Sequence, residues 1–200
     1  TNFSGDINVS FSGKDIEDME GELSIENFIM ESEKKTYTQS PITFTIENDD
    51  EQKHLLFDSD FMSAEMDGTF NYTSLAGNAQ LYLHHYLPNI IPAPRNISKN
   101  ADELSAFINI KDLSILEKVL ELPLKMEKSG YVSTYFNSEH NDFSFNASFP
   151  SVAYDKQQVK NIEVIVGQSN DSIECNVKLN KEFEKKTEDV TINATALDDH

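Results

Sequence analysis

Residues 11–28 read FSGKDIEDMEGELSIENF and form an acidic segment with two glycines between two stretches in which apolar and polar residues alternate. In an extended chain, alternate side chains point to the same side. The apolar residues on one side of the two stretches are Ile7, Val9, Phe11, Leu23 and Ile25. The pattern therefore predicts a β-ribbon, in which two antiparallel strands are joined by an acidic turn.

Alternation continues through the first half of the chain. Its runs, bounded by turns rich in Gly, Asp, Asn and Lys, predict strands at residues 2–12, 21–31, 40–48, 52–60 and 62–72. Their close spacing is typical of an antiparallel meander. In the third run Ile42, Phe44 and Ile46 alternate with polar residues, as expected for a sheet with one dry face.

Two stretches change to the spacing of an amphipathic helix. The first predicted helix ends before Pro88 and carries Leu75, Ala79, Tyr82, Leu83 and Tyr86. The second begins after Asp112 as the capping residue, ends at Pro123, and carries Leu113, Leu116, Val119 and Leu120.

Three prolines between residues 87 and 102 exclude both a helix and a central strand there, so this stretch is predicted to connect two halves. Residues 1–86 form the first β-rich half, which ends in a helix, and residues 103–200 form the second, which opens with a strand at 103–111. Later strands are marked by the alternating residues Phe143, Phe145, Ala147 and Phe149; Ile162, Val164 and Val166; Ile173, Cys175 and Val177; and Val190, Ile192 and Ala194. The predicted fold is mostly β, a long antiparallel sheet folded into a trough or a sandwich-like β-taco, with two short amphipathic helices.

The charge of the chain excludes some classes of partner. It carries 35 acidic and 16 basic residues, a net charge of −19, and Arg95 is its only arginine. Arginine is the residue best suited to bidentate contacts with phosphate and guanine, so nucleic acid is not an expected partner. An anionic bilayer surface would also be repelled.

The sequence carries no strong catalytic or metal signature. The adjacent histidines 84–85 point about 100° apart on a helix, and neither has a second ligand at i+3 or i+4. Two carboxylate pairs, Asp58 with Asp60 and Glu31 with Glu33, could each share a strand face, as cation binding or glycoside hydrolysis would require. In so acidic a chain such pairs are expected by chance, so we predict a protein that is not an enzyme and uses no metal or cofactor.

Six stretches share turn and strand motifs with a known family. They are GKDIEDMEG at 13–21, KKTY at 34–37, DFMSAEMDGTF at 60–70, DLSILEKV at 112–119, GYVSTYFNS at 130–138 and FSFNASFPSVAY at 143–154. In order and content these stretches resemble the β-rich body of TamB-like proteins (translocation and assembly module, AsmA-like superfamily) of the Bacteroidetes type.

The resemblance implies a periplasmic segment of a longer protein, anchored in the inner membrane by an N-terminal helix that is not in this chain. The chain starts at Thr1 inside a strand pattern, as expected for such an internal segment. In this superfamily a long sheet forms a trough whose apolar interior is thought to conduct phospholipids, so the implied partners are phospholipid acyl chains. The expected lining residues are Ile7, Val9, Phe11, Leu23, Ile25, Ile42, Phe44, Ile46, Phe143, Phe145, Phe149, Ile162, Val164, Val166, Ile173, Val177 and Ile192.

Three alternatives stay open. The same alternation lines the core of any β-sandwich. The resemblance also allows a role in the assembly of outer-membrane β-barrel proteins such as autotransporters, through pairing of an incoming strand with an exposed sheet edge. Outside the family, a β-sandwich at the cell surface could bind glycan, which would require a cluster of exposed aromatic residues.

Overall fold

The structure is a computed structural model that describes residues 2–32, 35–39, 41–49, 52–95, 101–113, 123–155, 157–169, 172–183 and 186–197. These ranges contain thirteen strands and one helix, α1 (Tyr72–Tyr86). The strands are β1 (Asn2–Ser12), β2 (Glu20–Ser32), β3 (Lys35–Gln39), β4 (Ile42–Asp49), β5 (Gln52–Asp58), β6 (Met62–Thr69), β7 (Glu103–Ile110), β8 (Leu124–Met126), β9 (Gly130–Asn137), β10 (Asp142–Tyr154), β11 (Gln157–Ser169), β12 (Ser172–Phe183) and β13 (Lys186–Leu197).

All thirteen strands belong to one open antiparallel sheet. The main path runs β1-β2-β4-β5-β6-β7-β9-β10-β11-β12-β13, while β3 pairs with β2 and β8 pairs with β10 beside that path. This confirms the predicted mostly-β fold, and a single open sheet of this length is consistent with a trough.

The register of the strands places apolar residues next to each other from one edge of the sheet to the other. One row takes one residue from each strand of the main path, and each residue pairs with the next: Val9, Leu23, Phe44, Phe57, Ala64, Ile108, Val132, Ala147, Val164, Val177 and Ile192. We call this set the apolar row and the side of the sheet that carries it the apolar face. The opposite side, on which most residues are polar, is the polar face.

Helix α1 packs on the apolar face near one end of the strands. The buried cluster between the helix and the sheet consists of Tyr82 and Tyr86 from α1 together with Phe70, Leu104, Phe136 and Ile173. Tyr82 contacts two sheet rings, with centroid distances of 5.8 Å to Phe136 and 5.7 Å to Phe143. The predicted helical spacing of Leu75, Ala79 and Leu83 also places these residues against the cluster.

Several element boundaries differ from the prediction. The strand expected at residues 62–72 ends at Thr69, because Asn71 occupies the N-cap position of α1 and Tyr72 is the first residue of the helix. The strand expected at 40–48 begins at Ile42, and the unpredicted β3 precedes it at the outer end of β2. The second predicted helix falls largely on residues 114–122, outside the described residues.

The sheet is continuous across the proline-rich connector. β6 precedes the connector and β7 follows it, and the two strands pair directly from Met62 with Ile110 to Thr69 with Glu103. Within the described ranges there is no helix with the length and apolar character needed to cross a membrane.

Candidate functional site

The residues predicted to line an apolar groove all lie on the apolar face. In the first half, Ile7 pairs with Ile25 and Ile25 with Ile42, while Phe11 is joined through Gly21 to Ile46. In the second half, Phe145 pairs with Val166 and Phe149 with Ile162. Of the remaining predicted residues, Phe143 and Ile173 lie on the same face away from the apolar row, at the buried cluster between α1 and the sheet. The others lie in the apolar row: Val9, Leu23, Phe44, Val164, Val177 and Ile192.

A second row runs beside the apolar row and is apolar in almost every strand. It contains Phe11, Gly21, Ile46, Leu55, Met66, Ala106, Thr134, Phe145, Val166, Cys175 and Ala194. Its one hydroxyl, Thr134 Oγ1, donates a hydrogen bond to the backbone oxygen of Ser144 at 2.9 Å. The two rows together form a continuous apolar strip across the main path.

Exposure along this strip varies with position. At the two edges the side chains are open, with Val9 62% and Ile192 53% exposed. In the middle most members of the apolar row are half-buried, and Ala147 is buried. The strip is therefore most accessible at β1 and β13. In the middle of the sheet its second-row residues Leu55, Met66, Ala106 and Val166 pack against the buried cluster that α1 forms with Leu104 and Phe136.

The acidic turn between β1 and β2 holds the amino end of α1. Glu17 accepts hydrogen bonds from the backbone N–H groups of Tyr72 and Thr73, both at 3.0 Å, and from Thr73 Oγ1 at 2.9 Å. The first N–H groups of a helix lack partners within the helix and carry partial positive charge. Glu17 thus caps α1 across 55 residues of sequence, and this fixes the position of the helix on the sheet.

Lys53 completes this contact from β5. Its Nζ lies 2.6 Å from Glu17 Oε2 and 4.1 Å from the centroid of the Tyr72 ring, and its side chain is only 10% exposed. A cation removed from water in this way needs a close anionic partner. Glu17 provides it, and the Tyr72 ring adds a cation–π contact.

The environment of Glu17 lowers the pKa of its carboxyl group. Burial raises this pKa, but hydrogen bonds from Lys53, Thr73 and Tyr72 have the larger effect and bring it to about 2 from the ordinary value of 4.5. Because the folded pKa lies below the unfolded one, the contribution of Glu17 to stability is complete above pH 4.5 and disappears as the pH falls towards 2.

We expect Glu17→Gln to lower the free energy of unfolding at pH 7 by about 1–2 kcal/mol, because hydrogen bonds to a charged group are lost. The difference from the unmodified protein should shrink as the pH falls from 4.5 to 2. Urea unfolding followed by circular dichroism at several pH values measures it. Glu22→Gln, at an exposed position in β2, is the control and should have little effect at any pH. A difference independent of pH would contradict this account of the turn.

Asp102 holds the same end of the helix from the other side. Its carboxylate is fully buried and accepts hydrogen bonds from the Asn71 backbone N–H at 3.0 Å, from Ser74 Oγ at 3.2 Å and from Asn78 Nδ2 at 2.6 Å. Its backbone also exchanges hydrogen bonds with Ser138, in the turn after β9. Asp102 therefore connects α1 to the central strands.

The titratable pairs considered from the sequence do not form a common site. Asp58 is the last residue of β5, so Asp60 lies beyond the strand. The Asp58 carboxylate instead pairs with Lys111, with 2.7 Å between Oδ1 and Nζ. Nδ1 of His84 lies 2.6 Å from the backbone oxygen of Ile91. Glu33 lies outside the described residues, and the described part of the chain has no cluster of three or more His, Cys, Asp or Glu side chains placed to hold a metal ion.

Sequence reasoning missed the central part of the strip. Phe57, Ala64, Ile108 and Val132 link the two predicted groups. Alternation could have identified Ala64 in β6. It does not assign a face in β5, β7 and β9, whose other face carries Leu56, Phe107, Tyr131 and Tyr135. It could not have identified Glu17 or Asp102, because their roles depend on contacts with a distant helix.

Comparison of this chain with protein-family models, with curated proteins and with solved structures found no match.

Proposed function

We propose that this chain is a periplasmic segment of an envelope-spanning TamB-like protein, and that its apolar face forms part of a groove for phospholipid transfer between the inner and outer membranes. The observation that supports the proposal is the apolar row, in which no strand of the main path contributes a polar side chain. The family resemblance of the sequence supplies the location and the ligand class.

The physical requirement on such a groove is continuity. Exposing two acyl chains of about 16 carbons to water costs roughly 25 kcal/mol, at about 0.8 kcal/mol per methylene. A lipid in transit therefore needs apolar contact at every step, and a charged side chain in the path would create a barrier. The strip formed by the two rows offers none along the main path.

The length of the row also suits an acyl chain. Strands lie about 4.8 Å apart, so the row extends about 48 Å across the sheet. The hydrocarbon core of a bilayer is about 30 Å thick, and one leaflet contributes half of it. An acyl chain lying along the row would remain in contact with apolar side chains over its whole length.

A second candidate function is assembly of outer-membrane β-barrel proteins by strand pairing. The observation that favours it is the edge strand β1, whose eleven residues are all exposed and include no proline and one charged residue, Asp6. Natural edge strands are usually protected by charge, proline or a covering segment. An incoming strand could add to such an edge.

Photocrosslinking in cells distinguishes the two functions in the full-length protein. A photoreactive residue at Phe44 or Phe145, both in the strip, should capture phospholipid, whereas the same residue at Thr45 or Ser144, on the polar face, should not. Lipid adducts at all four positions, or at none, would contradict the groove. Outer-membrane proteins captured at Asn8 in β1, together with no lipid at Phe44 and Phe145, would favour the assembly function.

A further inference from the structure

The polar face carries a patch without charge at the centre of the sheet. β7, β9 and β10 present nine side chains there, at the odd-numbered residues 105–109 and 131–135 and the even-numbered residues 144–148, which the register arranges as three rows of three. Three are aromatic, four are serine and two are asparagine. In a chain of net charge −19, these nine positions include no charged residue. We call this set the neutral patch.

Two of the aromatic residues of the patch are exposed and the third is half-buried, and contacts hold all three in position. The rings of Phe107 and Tyr131 stack with centroids 5.8 Å apart and planes 21° apart, yet the two residues are 47% and 42% exposed. Tyr135 is oriented by the hydrogen bond that its hydroxyl donates to Glu103 Oε1 at 2.8 Å. Rigid rings lose little conformational entropy when a ligand binds.

The small residue between the rings leaves space. Ser133 lies directly opposite Phe107, between Tyr131 and Tyr135 along β9. An open concavity of about 420 Å³ lies there, lined by Phe107, Ser133, Tyr135 and Ser144 and, on the side of β6, by Glu65 and Asp67. Hydroxyl groups, aromatic rings and two carboxylates therefore surround it.

The chemistry of the patch narrows the class of ligand. An anionic ligand such as nucleic acid would be repelled by Glu65 and Asp67 at the concavity and by the net charge of −19. An apolar ligand would bury six polar side chains without hydrogen bonds. A ligand that fits has apolar faces to stack on the rings and many hydroxyl groups to bond to Ser, Asn and the two carboxylates.

The size of the patch favours a small ligand over a protein partner. Its outer positions span about 10 Å across the strands and about 14 Å along them. A stable protein–protein interface needs about 800 Å² on each partner. The patch is too small for that, but a short oligosaccharide would cover it.

We propose that the neutral patch binds an uncharged pyranose oligosaccharide, whose ring faces stack on Phe107, Tyr131 and Tyr135 while its hydroxyl groups bond to the intervening serine and asparagine side chains. The site lies on the opposite side of the sheet from the apolar row and does not depend on the groove.

The test is isothermal titration of the protein with four neutral hexaoses: β-1,4-glucose, β-1,3-glucose, α-1,4-glucose and β-1,4-N-acetylglucosamine. We expect at least one to bind with a dissociation constant of about 1 mM or below. Phe107→Ala should weaken that binding about tenfold, because a stacking ring is lost. Since the hexaoses carry no charge, affinity should change little between 50 mM and 500 mM salt.

Two further variants make the result decisive. Ser133→Trp fills the concavity without removing a ring, so it should abolish binding even if Phe107→Ala fails to fold. Leu56→Ala removes a side chain of similar exposure, 41%, from β5 on the same face and should leave binding unchanged. No binding of any hexaose at 5 mM, or binding unaffected by both patch variants, would overturn the proposal. So would a change of oligomeric state in Phe107→Ala without sugar binding, which would identify a protein contact.

Discussion

Replacing Gly68 with alanine should lower the free energy of unfolding by about 3 kcal/mol or more, since the added Cβ would clash with backbone atoms and force them to move. A Cβ at this position would lie 2.1 Å from the backbone oxygen of Glu103 and 2.7 Å from Leu104 Cα. Both atoms belong to β7, which pairs with β6 through this residue. Neither can rotate away as a side chain would, so the β6–β7 pairing must open locally.

Gly167→Ala is the matched control. Gly167 is also a glycine within a strand, β11, but no atom lies within 4 Å of the position that its Cβ would occupy. Its replacement by alanine should be neutral or slightly stabilising, by less than about 1 kcal/mol, because alanine restricts the unfolded chain. Urea unfolding of both variants at pH 7 gives the comparison. Equal effects would mean that the close approach of β6 and β7 does not limit this position.

These two glycines illustrate what the sequence can and cannot predict. Alternation placed β1 at residues 2–12, as observed, because the pattern depends only on neighbouring residues along the chain. The difference between Gly68 and Gly167 depends on which strand lies beside each one and how closely. The neighbours of each glycine are set by the register of the strands. β6 and β7 are joined through the proline-rich connector, so local sequence does not fix their register.

The candidate groove was predictable for a related reason. A residue's place on one side of a strand follows from alternation, so the predicted lining residues of both halves could be assigned to a face. That the two halves share one apolar face follows from the unbroken pairing of β6, β7 and β9, which joins them. No local pattern specifies that pairing.

The neutral patch on the polar face could not be predicted from the sequence. The three aromatic residues lie on two strands separated by about 20 residues in sequence, and only the pairing of β7 with β9 brings them together. Each alone is an ordinary residue of a strand.

The position of helix α1 was the hardest feature to predict. Its spacing identified a helix, but the side chain of the N-cap residue Asn71 makes no capping hydrogen bond, and the first turn contains no acidic residue. The N–H groups of its first turn are instead bound by Glu17, from the turn after β1, and the N–H of Asn71 is bound by Asp102, just before β7. Capping by residues distant in sequence leaves no local signal.

Asp102→Ala should have the other large effect on stability, a loss of about 3–5 kcal/mol, because several buried donors lose their acceptor at once. Asn78 Nδ2 and the Asn71 N–H would be left without the oxygen atoms that they bind at 2.6 and 3.0 Å. Asp18→Ala, at an exposed position in the β1–β2 turn, is the control and should change stability by less than about 0.5 kcal/mol.

A double-mutant cycle with Asn78→Ala tests whether the loss arises from this contact. If the Asn78–Asp102 hydrogen bond makes the main contribution, Asp102→Ala should cost about 1–3 kcal/mol less in the Asn78→Ala background than in the unmodified protein. In that background the amide that would lose its bond to Asp102 is already absent. Asp102→Asn should be intermediate, since its amide oxygen can still accept one bond while its NH₂ group faces donors. If the losses of unfolding free energy in Asp102→Ala and Asn78→Ala are additive, the carboxylate stabilises the fold through Ser74 and the backbone of Asn71. The Asn78 side chain would then contribute little through Asp102.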